Sequence, residues 1–324
     1  ERVLKNIQLL HYDAKPIDDA FSEEVYKSYL KNLDPNKQFF TQADISLFEL
    51  YKTHIDDEIL QDKRDFYNIV KNVYRERVVD VQGLIPKLLE NPLNFMTEDT
   101  LELDVEKRDY APDFAGLNTL WSKIVLYQTL SSYFSMVEKD EVASANPTIY
   151  YEEIEEKARE KTTNNLTRSF ERLLKETDSE YFARYINSIT QVFDPHTNYL
   201  IPEKKEDFDI SISGTLEGIG AVLREEDGFI EIVTIITGSA SWRQGELKEK
   251  DIILEVAQGD GEAISLENMR VTDAVRYIRG KKGTEVRLTV QKPDGTKKII
   301  PIIRDIVVIE ETYAKDVVIT NTKI

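Results

Sequence analysis

Apolar residues recur every three or four positions through the first part of the chain, which is the spacing of one face of a helix. One such stripe follows Thr41 and Asp44, which resemble a capping box with aspartate in place of the usual glutamate. The stripe consists of Ile45, Phe48, Tyr51, Ile55 and Ile59. The pattern predicts a long helix that begins just after Thr41.

The same spacing continues over residues 66–81, and we expect Gly83 and Pro86 to interrupt that helix. Three further helices are predicted over 118–137, 149–175 and 179–193. We expect Asp178 or Ser179 to cap the last of them. Long helices with long connections predict a packed, all-α domain.

Glycine marks a change of structural class near residue 210. Eleven of the thirteen glycines lie between Gly214 and Gly295, and turn-rich β structure tolerates glycine better than helices do. Short strands are predicted over 219–224, 229–235, 251–256, 285–291 and 298–303. The fold class is therefore α+β and multidomain, with an N-terminal all-α domain over 1–207 and a small β-rich domain over 208–310.

The stretch TLEGIGAVL contains two glycines, Gly218 and Gly220, on either side of Ile219. Both glycines can adopt positive φ, so successive amides could turn toward one point and bind a carboxylate. The strand that follows could accept an extended peptide along its edge. The sequence therefore predicts capture of a peptide C-terminus, and the alternative is a tight hairpin whose glycines serve the turn alone.

A helix predicted over 267–279 would complete this peptide site. Its apolar face, placed beside the glycine loop, would form the floor of a groove for the last side chain of the peptide. The predicted peptide-binding residues are Leu216, Glu217, Gly218, Ile219, Gly220, Ala221, Val222, Leu223, Val271, Ala274, Val275 and Ile278.

Composition narrows the function classes. The formal net charge is −18, of which −14 falls in residues 1–207 and −4 in residues 208–310, and this argues against a nucleic-acid partner. The chain has no cysteine, which excludes disulfides, thiolate metal sites and a cysteine nucleophile. The uncharged run over 124–137 is too short and too polar to span a membrane.

The three histidines predict no catalytic or metal site. His11 and His54 lack a second histidine at ligand spacing, so we interpret both as solvated surface residues. His196 lies in DPHTNYL, which predicts a rigid interdomain turn in which the histidine satisfies backbone groups. No partnered nucleophile is recognisable, and neither a cofactor nor a metal is predicted.

Several motifs together resemble known proteins. GIGAVL, ITGSASWRQGELKEKDIILEV and VTDAVRYIRGKKGTEVRLTV resemble a bacterial PDZ domain, although Ser239–Ala240 replaces the usual proline and Gln244 stands at a position that is usually acidic or apolar. The preceding DPHTNYL and the earlier LDPNKQFFTQAD resemble the carboxyl-terminal processing, or tail-specific, proteases of the Prc/Tsp type. The resemblance covers nearly the whole chain, and it identifies the β-rich domain as a PDZ domain.

The resemblance implies a serine endopeptidase that uses a Ser nucleophile and a Lys general base in a protease core after the PDZ domain. Residues 311–324 are predicted to begin that core, so no residue of this chain is predicted to be catalytic and the chain alone should be inactive. The implied partners are unfolded or C-terminally tagged proteins, bound through their C-termini, with an adaptor protein as a further partner. The implied location is the periplasm or cell envelope.

A different reading of the same residues is a self-sufficient, PDZ-bearing adaptor that binds peptides without catalysis. The reading frame after Ile324 separates the two, because only the protease requires a following core. The chain opens with neither an initiator Met nor an apolar signal region, so we expect a processed or trimmed product.

Overall fold

The computed structural model describes residues 2–12, 15–146 and 149–308. Its internal contacts divide the chain into two compact units, Glu1–Ile201 and Pro202–Ile324. The predicted boundary followed residue 207, and the predicted third segment, 311–324, lies outside the described residues. Each unit is described by itself below.

The first unit is helical, as predicted. Its helices are α1 (Arg2–Leu10), α2 (Asp19–Leu33), α3 (Gln42–Phe48), α4 (Ile55–Leu60), α5 (Asp65–Leu88), α6 (Phe114–Val137), α7 (Glu141–Ala145), α8 (Glu152–Leu174) and α9 (Asp178–Phe193). Their apolar faces meet in an aromatic-rich core. Tyr29, Tyr67 and Tyr185 lie within 6.3 Å of one another in that core, measured between ring centroids.

The predicted capping box at Thr41 is confirmed. The Thr41 hydroxyl accepts a hydrogen bond from the Asp44 amide, and the Asp44 carboxylate accepts one from the Thr41 amide. The prediction of one long helix from this point is wrong. α3 passes into a 3₁₀ turn over Glu49–Tyr51, and α4 starts separately at Ile55. The Ser22 hydroxyl of α2 accepts from the Asp56 amide at 2.9 Å and so fixes the start of α4 through a tertiary contact.

The predicted interruption at Gly83 and Pro86 is also wrong, because α5 runs through both residues to Leu88. Pro86 lies in the last turn, so it removes a hydrogen bond only where the helix is about to end. The buried side chains of Ile85 and Leu89 keep this turn on the core. The last helix, α9, is capped by Thr177 with Glu180 as its capping-box partner, one residue before the predicted Asp178.

The second unit is the predicted β-rich domain, preceded by a helix, α10 (Pro202–Ser213), that the sequence pattern did not predict. Its elements are β1 (Thr215–Gly218), β2 (Ala221–Glu226), β3 (Phe229–Ile235), α11 (Ala240–Gln244), β4 (Ile252–Gln258), β5 (Ile264–Ser265), α12 (Val271–Ile278), β6 (Glu285–Gln291), β7 (Lys297–Ile303) and β8 (Asp305–Val308). The strand predicted over 219–224 begins two residues later, at Ala221, because Ile219 and Gly220 form the glycine loop between β1 and β2.

The main sheet is antiparallel and has the order β2-β3-β4-β6-β7, with β5 paired to β4. β1 and β8 form a separate two-stranded sheet, in which Gly218 is opposite Asp305. Alternate residues of the long strands bury their side chains, as in β6, where Val286, Leu288 and Val290 are fully buried. α12 contributes Ala274 and Ile278 to the same core.

Candidate peptide-binding groove

The loop between β1 and β2 requires glycine at one position. Gly220 has φ +77°, and a Cβ there would lie 2.1 Å from the Cβ of Ser239. Gly218 is not in the positive-φ region, and a Cβ there would lie 3.1 Å from the flexible end of Leu216. Of the two glycines that the sequence singled out, Gly220 alone uses left-handed backbone.

The carbonyl groups of this loop are held by the end of β3 and the start of α11. The Ile219 carbonyl accepts from the Ser241 amide at 2.8 Å, and the Gly220 carbonyl accepts from the Ile236 amide at 2.9 Å. The Ser239 hydroxyl also donates to the Gly220 carbonyl, at 3.1 Å. These bonds fix the loop backbone in one conformation.

The amide groups of this loop, unlike its carbonyl groups, have no hydrogen-bond partner in the described part of the chain. Ile219 and Gly220 are buried, and neither amide donates a hydrogen bond to any residue within 2–12, 15–146 or 149–308. Buried backbone amides are nearly always paired, because an unpaired donor costs about 1–3 kcal/mol. The loop therefore offers two adjacent donors to an acceptor such as a carboxylate.

β2 is an edge strand of the main sheet, since its only partner in the described part of the chain is β3. The Gly220 carbonyl points toward β3, where it accepts from Ile236. Backbone groups alternate along a strand, so those of Ala221 and Leu223 point to the open edge. An extended peptide could therefore pair with this edge in line with the glycine loop.

α12 lies beside β2 and forms the second wall of this groove. Val271 and Val275 are half-buried, as are Ala221 and Leu223. These four side chains form the apolar surface that a ligand would meet, whereas Val222 is 48% exposed and faces solvent.

Two of the predicted groove residues lie behind this surface. Ala274 is fully buried and Ile278 is 3% exposed, so they pack in the core and support the wall from within. Glu217 is exposed, and its carboxylate accepts from the Lys282 amide at 3.1 Å. The structure thus arranges the predicted residues of β2 and α12 in layers, whereas Leu216 lies in β1, opposite Val307 of β8.

A buried arginine fixes the C-terminal end of α12, and the sequence analysis did not identify it. The Arg304 guanidinium donates to the carbonyls of Ile278 at 2.9 Å and Tyr277 at 3.1 Å. It also donates to Gln258 Oε1 at 2.7 Å and Thr284 Oγ1 at 2.9 Å. Burial lowers the Arg304 pKa. The signal in the sequence was a basic residue, followed directly by an acidic one, within the otherwise apolar run IIPIIRDIVV.

Asp305, the next residue, holds β8 in place. Its carboxylate accepts from Lys282 Nζ at 2.9 Å and from the Arg243 guanidinium at 2.5 Å. The Lys282 ammonium, the Ile306 amide and the Arg243 guanidinium lower the Asp305 pKa to about 2. This ion-pair cluster adjoins β1, the strand that leads into the glycine loop.

The histidines and the DPHTNYL segment have local roles. The His196 imidazole has no hydrogen bond with a described residue, so the prediction that it satisfies backbone groups is wrong. Asp194 and Asn187 do this instead, since Asp194 accepts from the His196 amide and Asn187 bonds both backbone groups of Tyr199. His11 is half-buried against the Phe193 ring rather than fully solvated, and His54 is exposed.

The described residues contain no group of three or more histidines and carboxylates arranged to hold a metal ion. No described helix combines the length and apolar character needed to cross a bilayer.

Comparisons with known proteins agree with this division of the chain. The family profile of the tail-specific protease N-terminal domain matches residues 3–203, and the PDZ profile matches residues 209–291. The tail-specific protease of Haemophilus influenzae is 32% identical over 321 residues, which cover 97% of this chain and 43% of that protein. The carboxy-terminal processing protease CtpA of Bacillus subtilis is 38% identical over 127 residues, which cover 39% of this chain and 26% of that protein.

A crystal structure of the PDZ domain of a Vibrio cholerae carboxy-terminal protease, in complex with peptide, is 33% identical over 29% of this chain and 97% of that chain, with a TM-score of 0.28. The chain spans less than half the length of the curated relatives named above. The resemblance to this group is confirmed by the two profiles and the near-complete alignment. The chain therefore belongs to the tail-specific protease family and carries the family's N-terminal domain followed by a PDZ domain.

Proposed function

We propose that this chain is the substrate-recognition portion of a C-terminal processing serine endopeptidase, and that its PDZ unit binds the C-termini of protein substrates. The observation that carries the proposal is that the amides of Ile219 and Gly220, beside the open edge of β2, donate to no described residue. Its relatives are tail-specific and C-terminal processing proteases, for which selection of chain ends is a natural requirement.

The geometry supports a two-part recognition mode. The terminal carboxylate of the substrate accepts from the two loop amides, and the preceding backbone pairs with the outward-facing groups of Ala221 and Leu223. The last side chain enters the groove between β2 and α12, where Val271 and Val275 present an apolar surface. Small apolar C-terminal residues are therefore preferred, in substrates that are unfolded or carry an exposed tail.

The catalytic chemistry is proposed to reside elsewhere in the intact protein. A Ser nucleophile activated by a Lys base would belong to the part of the relatives that this chain does not cover. Purified chain should leave an unfolded test protein intact, and time-dependent cleavage that survives repeated purification would contradict this assignment. The proposed location, the periplasm or cell envelope, is checked by fractionating the source cells.

A titration tests the binding function. An apolar-tailed peptide and its C-terminally amidated form are titrated against the chain by calorimetry. Charge-assisted hydrogen bonds contribute about 1.5–3 kcal/mol each, so amidation should weaken binding at least about tenfold. Equal affinities for the two forms would exclude carboxylate binding by the glycine loop.

A matched pair of variants tests whether the peptide binds in the groove between β2 and α12. Val275→Asp puts a charge on the groove wall and should abolish binding of the free peptide. Ile264→Asp, an exposed apolar position on β5, is the control and should bind normally. If both variants lost affinity equally, the groove would not be the binding site.

A further inference from the structure

The first unit contains an apolar cavity of about 440 Å³ that the peptide-binding proposal does not use. Three segments form it: the residues after α5, the last turns of α6 and the residues before α8. Its walls include Phe95, Met96, Tyr133, Phe134, Ile149 and Tyr150. We call it the aromatic pocket.

Hydrogen bonds hold the walls of the aromatic pocket in place. The Tyr133 hydroxyl donates to the Ile149 carbonyl at 3.3 Å and accepts from the Tyr151 amide at 2.9 Å. The Glu155 carboxylate is buried, and it accepts from the Leu93 amide at 3.0 Å and from Arg159. These bonds tie two extended segments to α6 and α8, so the cavity is preformed.

The aromatic pocket exposes large apolar side chains to solvent. Met96 is 92% exposed, and Phe134, Ile149 and Tyr150 are each about half exposed. On α6, Tyr127 is also exposed and lies two turns before Phe134 on the same face. Exposed apolar surface gathered in one concave patch is typical of an interaction site rather than of ordinary solvent-facing surface.

The segments around the aromatic pocket are strongly acidic. Residues 90–99 and 138–157 contain ten carboxylates and two lysines. Glu98, Glu138, Glu141, Glu152 and Glu153 are exposed, and none has an ion pair with a described residue. Glu138 is the C-cap of α6, where the helix dipole disfavours a carboxylate, so helix stability does not explain its position.

We propose that the aromatic pocket is a docking site for a segment of a partner protein that presents apolar anchor side chains flanked by lysine or arginine. The cavity accepts the anchors, and the carboxylates around it complement the flanking positive charges. The groove of the second unit needs a free carboxylate, whereas this site needs none.

The probe is a synthetic peptide of about twelve residues with leucine and phenylalanine at helical spacing, lysines at both ends and an amidated C-terminus. Amidation keeps the probe out of the peptide-binding groove. Two companion peptides replace the lysines with glutamates or the apolar anchors with serines. Binding to the 324-residue chain is measured by fluorescence anisotropy at low and high salt.

The lysine-flanked peptide should bind at least tenfold more tightly than either companion, and its affinity should fall as salt rises, because salt screens the carboxylates. Absence of binding at millimolar peptide, or equal binding of the glutamate-flanked peptide, would overturn the proposal.

Variants locate the binding surface. Met96→Ser and Phe134→Ser remove exposed side chains, so the fold should survive, and each should weaken binding about fivefold or more. Leu50→Ser removes an apolar side chain, its exposure intermediate between those of Met96 and Phe134, from another part of the helical unit and is the control. Equal losses in all three variants would overturn the proposal.

A charge-matched pair tests the carboxylates. Glu138→Lys with Glu141→Lys should weaken the lysine-flanked peptide several-fold at low salt. Glu249→Lys with Glu262→Lys changes the net charge equally at two exposed positions of the second unit and should have a smaller effect. If the second pair weakened binding as much as the first, the attraction would be nonspecific and the docking site would be refuted.

Discussion

Gly220 is the residue on which the conformation of the glycine loop depends most. Its left-handed backbone turns the chain between β1 and β2, and the space where a side chain would stand is filled by Ser239. Ser239 is itself buried and caps α11 through the Trp242 amide. The loop and the start of α11 are therefore one packed unit.

Replacing Gly220 with alanine should destabilise the PDZ unit by about 2–5 kcal/mol, from a left-handed backbone cost of about 1–2 and an overlap cost of about 1–3. Gly283→Ala is the control, because Gly283 also has positive φ (+85°) but open space around it. It should lose only the backbone part. Hydrogen exchange in β4 and β6 measures the stability of both variants. Equal losses of stability would contradict the inference that Ser239 fills the space beside Gly220.

Asp44 is the second residue with a testable energetic role. Burial alone would raise its pKa, but hydrogen bonds from Arg77 and Thr41 outweigh burial and hold the Asp44 pKa below its ordinary value. The Arg77 guanidinium bonds both carboxylate oxygens at 2.9 Å. A depressed folded-state pKa means that the ionised carboxylate stabilises the fold.

Asp44→Asn should therefore cost about 1–3 kcal/mol at pH 7. The cost should shrink as the pH falls below the unfolded pKa of about 4, because the parent then loses the same interaction. This cost is measured by urea unfolding, with the fluorescence of Trp121 as the signal and Trp242→Phe in both proteins to remove the second tryptophan. Glu180→Gln in the surface capping box of α9 is the matched control with a smaller loss, and a pH-independent cost of Asp44→Asn would contradict the assignment.

At the scale of elements, the groove depends on an open edge and on a fixed helix end. β2 offers outward backbone groups at every second residue only, so a bound peptide should be sensitive to backbone modification with a period of two. A series of peptides, each N-methylated at one position, tests this by affinity. Alternate positions should lose affinity while their neighbours tolerate the methyl group. Uniform losses along the peptide would contradict strand pairing.

Arg304 links the end of β7 to the C-terminal end of α12. Arg304→Met keeps apolar volume but leaves the Ile278 carbonyl without its donor and the Tyr277 carbonyl with the Gln258 amide alone, and should cost about 2–4 kcal/mol. Hydrogen exchange should rise in α12, and peptide affinity should fall. Arg276→Met, on the exposed face of α12, is the control and should change stability by less than about 1 kcal/mol. Unchanged exchange in α12 of Arg304→Met would show that this arginine does not fix the helix.

The sequence pattern predicted most elements because their periodicity follows from a single buried face. α8 and β6 were placed closely for this reason, since each has a strong stripe or alternation. The start of α4 was not predicted, because it depends on Ser22, which is distant in the chain. The role of Arg304 was likewise hidden, since its partners come from three separate segments of the chain.

At the scale of the whole molecule, the proposed peptide-binding residues all belong to the second unit. We therefore expect residues 202–308, produced alone, to bind a free apolar-tailed peptide within about twofold of the affinity of the full chain. Calorimetry on both proteins checks this. A tenfold loss in the shorter protein would mean that the helical unit contributes to the groove.

The measurement that tests the central claim most directly is an NMR titration of the ¹⁵N-labelled chain with free and amidated forms of one apolar-tailed peptide. Hydrogen bonding to a carboxylate shifts the amide resonances of the donors. With the free peptide, the Ile219 and Gly220 amides should show the largest downfield shifts, and with the amidated form these shifts should be lost or greatly reduced. Binding of the free peptide without a shift at these two amides would contradict the claim that the glycine loop binds the carboxylate.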